Sequence, residues 1–150
     1  KPIKAINAEV IRRLVESGVI VIAAGGGGIP VYVDRCGLLE GMDAVIDKDL
    51  GSAVLGREIG AEVLCILTSV DKVAVNFGKP DQKELDVCRL SEISRYRAEK
   101  HFPAGSMGPK IDAAIEFVSG GGRMVTISSF ANARRALVGE AGTRILPDQP

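Results

Sequence analysis

The sequence predicts an α/β domain with a mostly parallel sheet and helices on both faces. Three observations point there. Short apolar runs rich in β-branched residues, such as Val19–Ala24, Val63–Leu67 and Met124–Ile127, read as buried strands. Amphipathic stretches with helical spacing separate them, as in Ile111, Ala114, Ile115 and Val118. Glycines repeatedly mark the changeover between the two patterns, a punctuation typical of strand–helix alternation. At 150 residues the chain is long enough for one domain with a real core.

Asn7 is placed to cap a helix over 8–17, with Val10, Ile11, Leu14 and Val15 inward and Gly18 as its stop. Val19 to Ala24 follows as a strand covered on both faces. Gly25–Gly28 and Ile29-Pro30-Val31 come next, then an irregular stretch to Ala44 that suits an extended hairpin. Asp49 is placed to cap a helix over 50–59, with Leu50, Val54, Leu55 and Ile59 on one side and Gly60 as its end. Val63–Leu67 is the second buried strand and Val73–Asn76 a short third. Gly78-Lys79-Pro80-Asp81 is turn chemistry. Ser91 opens a helix to Ala98. Pro109, tolerated at a first helical position, opens the next, which ends at Gly120–Gly122. Met124–Ile127 is a further strand. Ser129 caps a last helix with Phe130, Ala133 and Leu137 inward, and Gly142–Leu146 is a terminal strand.

Bulk composition excludes several functions. Lysine plus arginine and aspartate plus glutamate stand at 19 each, so no charge excess favours nucleic acid or a membrane surface. Aromatics are only 4%, which argues against a base-stacking platform for single strands. The three cysteines, Cys36, Cys65 and Cys88, lack C-x-x-C spacing and suggest neither a disulfide framework nor a zinc site. Cys65, in an apolar run, reads as a core thiol, and a reducing, cytoplasmic setting fits best. No signal peptide and no span of about 20 apolar residues is apparent. The start Lys1-Pro2-Ile3-Lys4 does not resemble an initiator sequence, so a fragment of a longer protein is expected.

Gly105-Ser106-Met107-Gly108-Pro109-Lys110 carries the sharpest chemical signal. Lys110 lies in the first turn of its helix, where the dipole disfavours a cation. Glycines, free amides and that lysine together suit an anion such as a phosphate, although an ordinary loop with a solvated lysine has the same residues. Gly25-Gly26-Gly27-Gly28, directly after a predicted strand, allows close backbone approach to a ligand; a plain tight turn is the simpler alternative. It matches neither dinucleotide nor Walker patterns, because Pro30 replaces the third glycine and no Gly-Lys-Ser/Thr follows.

Asp47-Lys48-Asp49 opens the second helix, as a cap with solvated charges or as part of a site with Lys110. Two lysines about 4 Å apart repel by about 4 kcal/mol at an effective dielectric near 20. A fixed carboxylate, Asp49, would offset that and hold both ammonium groups. Phosphoryl transfer needs mainly such positioning and charge stabilisation. Leu67 to Asp71 leaves the second strand at a place suited to a nucleotide edge. His101 reads as a structural or surface residue.

Five segments, Val21–Val31 (VIAAGGGGIPV), Ala44–Leu50 (AVIDKDL), Asn76–Gln82 (NFGKPDQ), Gly105–Lys110 (GSMGPK) and Ala141–Ile145 (AGTRI), resemble carbamate kinases of the amino acid kinase family. The resemblance runs in order over nearly the whole chain and implies the C-terminal, nucleotide-binding half of such an enzyme. It implies a three-layer α/β/α sandwich with a mainly parallel sheet, as a partial fold. The implied reaction is reversible: ATP and carbamate give ADP and carbamoyl phosphate, with Mg2+, running toward ATP in arginine catabolism. It assigns Lys48 and Lys110 to the moving phosphoryl group, Asp49 to organising them, and Gly25–Gly28 to a loop near the transfer centre. It assigns Thr68, Ser69, Val70, Asn76, Met107 and Gly108 to the nucleotide pocket. Partners are a small-molecule substrate and, for the complete protein, a second subunit in a homodimer. The family usually has aspartate where Ser69 stands and often tyrosine where Ala74 stands, so adenine or ribose contacts are expected to differ. Another amino acid kinase acting on a small carboxylate, or a non-catalytic nucleotide-binding regulatory domain, are the alternatives. Retention of Lys48, Asp49 and Lys110 counts against the latter. Alone, the chain is expected to bind ADP poorly and not to turn over.

Overall fold

A computed structural model describes residues 1–149. The β-branched runs at 63 and 124 become β3 (Val63–Thr68) and β7 (Met124–Ser129), which pair in parallel with Val63 opposite Met124 and Thr68 opposite Ser129. β8 (Thr143–Leu146) runs antiparallel beside β7, and β6 (Val87–Arg89) pairs in parallel with β8. The strand order is β3-β7-β8-β6, a mixed sheet in which two of the three pairings are parallel.

Three helices cover one face: α2 (Lys48–Glu58), α3 (Leu90–Ala98) and α4 (Met107–Ser119). α4 lies central, packed on α2, α3 and the sheet. Its Ile111, Ala114, Phe117 and Val118 are buried with Val125, Ile127 and Ile145 of the strands. Each large apolar side chain buried there contributes about 1.5–3 kcal/mol. α5 (Ala133–Leu137), entered through a 3-10 turn at Phe130–Asn132, packs on β7 and β3. It lies on the opposite face, because successive strand residues alternate. Val125 and Ile127 point to α4, while Met124 reaches Gly139 just beyond α5. The predicted three-layer α/β/α arrangement with a mainly parallel sheet is therefore present. α1 (Ala8–Glu16) leans on α2. Two small antiparallel ribbons complete the elements: β1 (Val31–Val33) with β2 (Leu39–Gly41), and β4 (Ala74–Val75) with β5 (Lys83–Glu84).

The N-terminal quarter departs from expectation. Val19–Ala24 is not a strand, and Ile20 and Ile22 are 94% and 98% exposed. The run is apolar and β-branched as a buried strand should be, yet no other described strand pairs with it. The predicted inward stripe of α1 is likewise open to solvent at Val10, Leu14 and Val15, and the Asn7 side chain makes no cap bond. Phe130 and Leu137, expected inward, are exposed, because a 3-10 turn precedes α5 and only Ala136 of that helix is fully buried. Ser129 makes no side-chain cap bond. α3 starts at Leu90 with Arg89, not Ser91, at the N-cap position. α4 starts at Met107, two residues before Pro109. β5 and β6 lack hydrophobic alternation and carry no sequence signal. The fully buried thiol is Cys88, whereas Cys65 is half-buried. Among the described residues, no helix is long and apolar enough to cross a membrane.

Candidate functional site

The start of α2 sets the site. Asp47, not Asp49, is its cap: the Asp47 carboxylate accepts from the N–H groups of Asp49 and Leu50 at 2.9 and 3.1 Å. Asp49 thereby becomes a first-turn residue whose side chain is free to leave the helix. It turns toward α4, and Lys110 Nζ donates to its Oδ2 at 2.8 Å. The two side chains are only 13% and 10% exposed, so the pair sits in poorly screened surroundings. Residues 61 positions apart in sequence are thus joined by one charge-assisted bond.

Both groups line a cleft of about 420 Å3 between the sheet's edge and the helix starts. Asp47, the cap of α2, and the exposed Lys48, its first residue, line one side. Thr68, Ser69, Val70, Lys72 and Ala74 come from the end of β3 through β4, with Phe77 beyond it. Phe102, Pro103, Gly105, Ser106, Met107, Pro109 and Lys110 come from the α3–α4 loop and the first turn of α4. This is the carboxyl end of β3, where open α/β sheets hold ligands. The α4 terminus suits an anion. Ser106 makes no side-chain cap bond, and the first turn holds no acidic residue.

Lys48, Asp49, Thr68, Ser69, Val70, Met107 and Lys110 are therefore brought together at one cleft. Three other candidates stand outside the cleft lining. Gly25–Gly28 lies behind the start of α2. Gly27, at φ 144, presses so closely on Ile46 that a Cβ would sit 1.8 Å from the Ile46 carbonyl oxygen. Gly51 meets the Gly27 carbonyl from the helix side, at 3.1 Å from where its own Cβ would be. Of the four glycines only Gly27 makes close approach to protein backbone; a Cβ at Gly25, Gly26 or Gly28 would meet nothing within 4 Å. Asn76 adopts a left-handed φ of 53 and donates through its amide to Asp81, holding a turn. Gly108 is buried, and its N–H donates to the Pro103 carbonyl at 2.8 Å. A Cβ there would lie 2.9 Å from that oxygen, so glycine is needed to dock the loop onto α4. Lys72 and Phe77 were missed. Lys72 lies outside every quoted motif, and Phe77 lies within the Asn76–Gln82 segment but was passed over for its neighbour Asn76; the fold carries both to the cleft.

No cluster of three or more His, Cys, Asp or Glu suited to a metal occurs among the described residues. The two carboxylates at the cleft are engaged, Asp47 by backbone N–H groups and Asp49 by Lys110.

Comparison with known proteins identifies the family. The family model described as "Amino acid kinase family" matches residues 1–129. A carbamate kinase from Thermoplasma volcanium is 49% identical over 147 residues, which cover 98% of this chain and 48% of that protein. The carbamate kinase-like protein YahI of Escherichia coli is 47% identical over 146 residues, covering 97% and 46%. The structure of carbamate kinase from Giardia lamblia bound to AMP-PNP superposes with a TM-score of 0.94 at 42% identity, covering 99% of this chain and 52% of that one. A UMP kinase from Bacillus anthracis, at 15% identity and a TM-score of 0.61, shares the fold alone. The chain spans about half the length of the curated relatives it matches. With the family model covering most of its residues and the paired Lys110 and Asp49 at the cleft, the chain belongs to the amino acid kinase family.

Proposed function

We propose that this chain is the nucleotide-binding half of a carbamate kinase, which interconverts ATP plus carbamate with ADP plus carbamoyl phosphate. One observation carries the reading: the 2.8 Å bond that fixes Lys110 to Asp49 inside a cleft shared with Lys48. The similarity to a carbamate kinase at 49% identity supports the choice of acceptor. AMP-PNP, the ligand of the Giardia relative, supports a nucleoside triphosphate as the occupant.

In this reading Lys48 and Lys110 stabilise charge on the phosphoryl group in transit. Asp49 limits their mutual repulsion and sets the Lys110 ammonium in place before substrate arrives. Thr68, Ser69, Val70 and Met107 border the nucleotide, while Asn76 and Gly108 shape its walls and Gly25–Gly28 supports the α2 start from behind. Carbamate is itself an anion, so no general base is required of the chain. The engaged carboxylates leave no protein cage for Mg2+, which would be carried on the nucleotide's phosphates. The rest of the acceptor site and a dimer surface belong to the remainder of the enzyme, and the working compartment is the cytoplasm.

A coupled assay of ATP formation from ADP and carbamoyl phosphate tests the proposal. The complete enzyme should be active and the isolated 150-residue chain inactive. An inactive complete enzyme, or turnover by this chain alone, would contradict it.

A further inference from the structure

The cleft contains two aromatic rings, and they differ sharply. Phe102 is 3% exposed and belongs to the hydrophobic core. Phe77 is 63% exposed while lining the same cleft, so a large apolar face is left open beside charged groups. Other exposed apolar residues, such as Ile20 and Ile22, lie on the unpaired N-terminal segment and do not line the cleft.

The support beneath Phe77 is unusually firm for a turn. Asn76 holds a left-handed φ of 53 and donates to Asp81 at 2.7 Å. Gly78 N–H donates to the Gln82 side chain at 2.8 Å, and Lys79 N–H to the Asn76 carbonyl at 3.0 Å. β4 and β5 clamp the two ends of this turn. A preceding small residue, Ala74, buried at 8% exposure, keeps the adjacent cleft wall low. A ring held out by a braced turn, at a cleft that also presents lysines, hydroxyls and apolar side chains and whose two carboxylates are already engaged, is suited to a ligand with both a flat π face and an anionic tail.

We propose that Phe77 is the base-stacking residue of the nucleotide site and makes it favour purine over pyrimidine nucleotides. This rests on the proposed nucleotide-binding function. The phosphate end is held by Lys48, Lys110 and the α4 start, and the base lies on Phe77. Stacking on an aromatic ring scales with overlapping area, so a two-ring purine gains more than a one-ring pyrimidine. Phe77 touches no reacting atom and acts in binding alone.

The test is steady-state kinetics of the complete enzyme with wild type, Phe77→Ala and Phe77→Tyr. Removing one base–aromatic stack should raise the nucleotide KM about 5- to 150-fold, with a much smaller change in kcat. Phe77→Tyr, which keeps the ring, should restore KM to within about threefold of wild type. The preference for ATP over UTP should shrink in Phe77→Ala, because the purine loses more. Normal turnover with an unmoved KM and unmoved ATP/UTP preference in Phe77→Ala would overturn the inference while leaving the kinase reading intact. A wild-type enzyme that uses no nucleotide would overturn both.

Discussion

The bond between Asp49 and Lys110 makes a measurable forecast. At the observed 2.8 Å and an effective dielectric of about 20, the gross attraction is about 6 kcal/mol. Most of that is offset by the cost of drawing both charges out of water. Removing one partner exposes the asymmetry, because the survivor stays about nine-tenths covered without compensation. Loss of a partner from a buried pair costs about 3–5 kcal/mol, and the residual exposure of 13% and 10% argues for the lower end. Lys110→Ala and Asp49→Ala should each lower the unfolding free energy of the chain by about 3 kcal/mol. The double variant should fall by about 3–4 kcal/mol and not by the sum, a coupling of about 2–3 kcal/mol. Urea titrations followed by circular dichroism read this directly. In the complete enzyme, Lys110→Ala should reduce kcat at least a hundredfold, about 2.7 kcal/mol of barrier, with nucleotide affinity changing less. Asp49→Ala should reduce kcat by about tenfold to a hundredfold, because Lys110 remains but is no longer held. Additive stability losses would refute the pairing, and undiminished turnover in Lys110→Ala would refute its role.

Three further outcomes follow from the same coordinates. Gly27→Ala should destabilise the chain by more than about 3 kcal/mol or prevent folding, since its Cβ would strike the Ile46 carbonyl at 1.8 Å. Gly26→Ala, with nothing within 4 Å, should change thermal stability by less than about 1 kcal/mol. Glu116 is held below the ordinary carboxylate range by hydrogen bonding to Lys1, with Arg57 adding to the effect. Its stabilising contribution is full above the unfolded carboxylate value and is lost as pH falls through the depressed folded value. Unfolding measured from neutral pH into the acid range should therefore show a shallower decline in Glu116→Gln than in wild type; parallel curves would dismiss the contribution. A thiol reagent at mildly alkaline pH should label the exposed Cys36 first and the half-buried Cys65 more slowly. Cys88, buried and with its thiol pushed up to about 12 chiefly by burial, should react only on unfolding. Fast labelling of Cys88 in the native chain would contradict its placement.

What the sequence by itself determined is local and periodic. The apolar spacing after Lys110 specifies α4, the β-branched runs specify β3 and β7, and the glycines at 60 and 120 mark where helices give way. These features depend on neighbours within a turn or two, so they are legible without coordinates. The candidate site was legible for a different reason: Lys48, Asp49 and Lys110 fall in short segments that resemble a family, although taken alone those runs read equally well as solvated charges. Tertiary structure alone decided the rest. Asp47 and Asp49 are equally good caps on paper, and only the chance to bond Lys110 across the cleft shows why Asp47 takes the cap and Asp49 the pair. Val19–Ala24 has the composition of a central strand, but a strand exists only where another lies alongside to accept its hydrogen bonds. The Gly25–Gly28 loop likewise signals close approach without saying to what, and its neighbour here is the Ile46 backbone. Pairing between distant segments is a property of the folded ensemble of contacts, which no window of the chain contains.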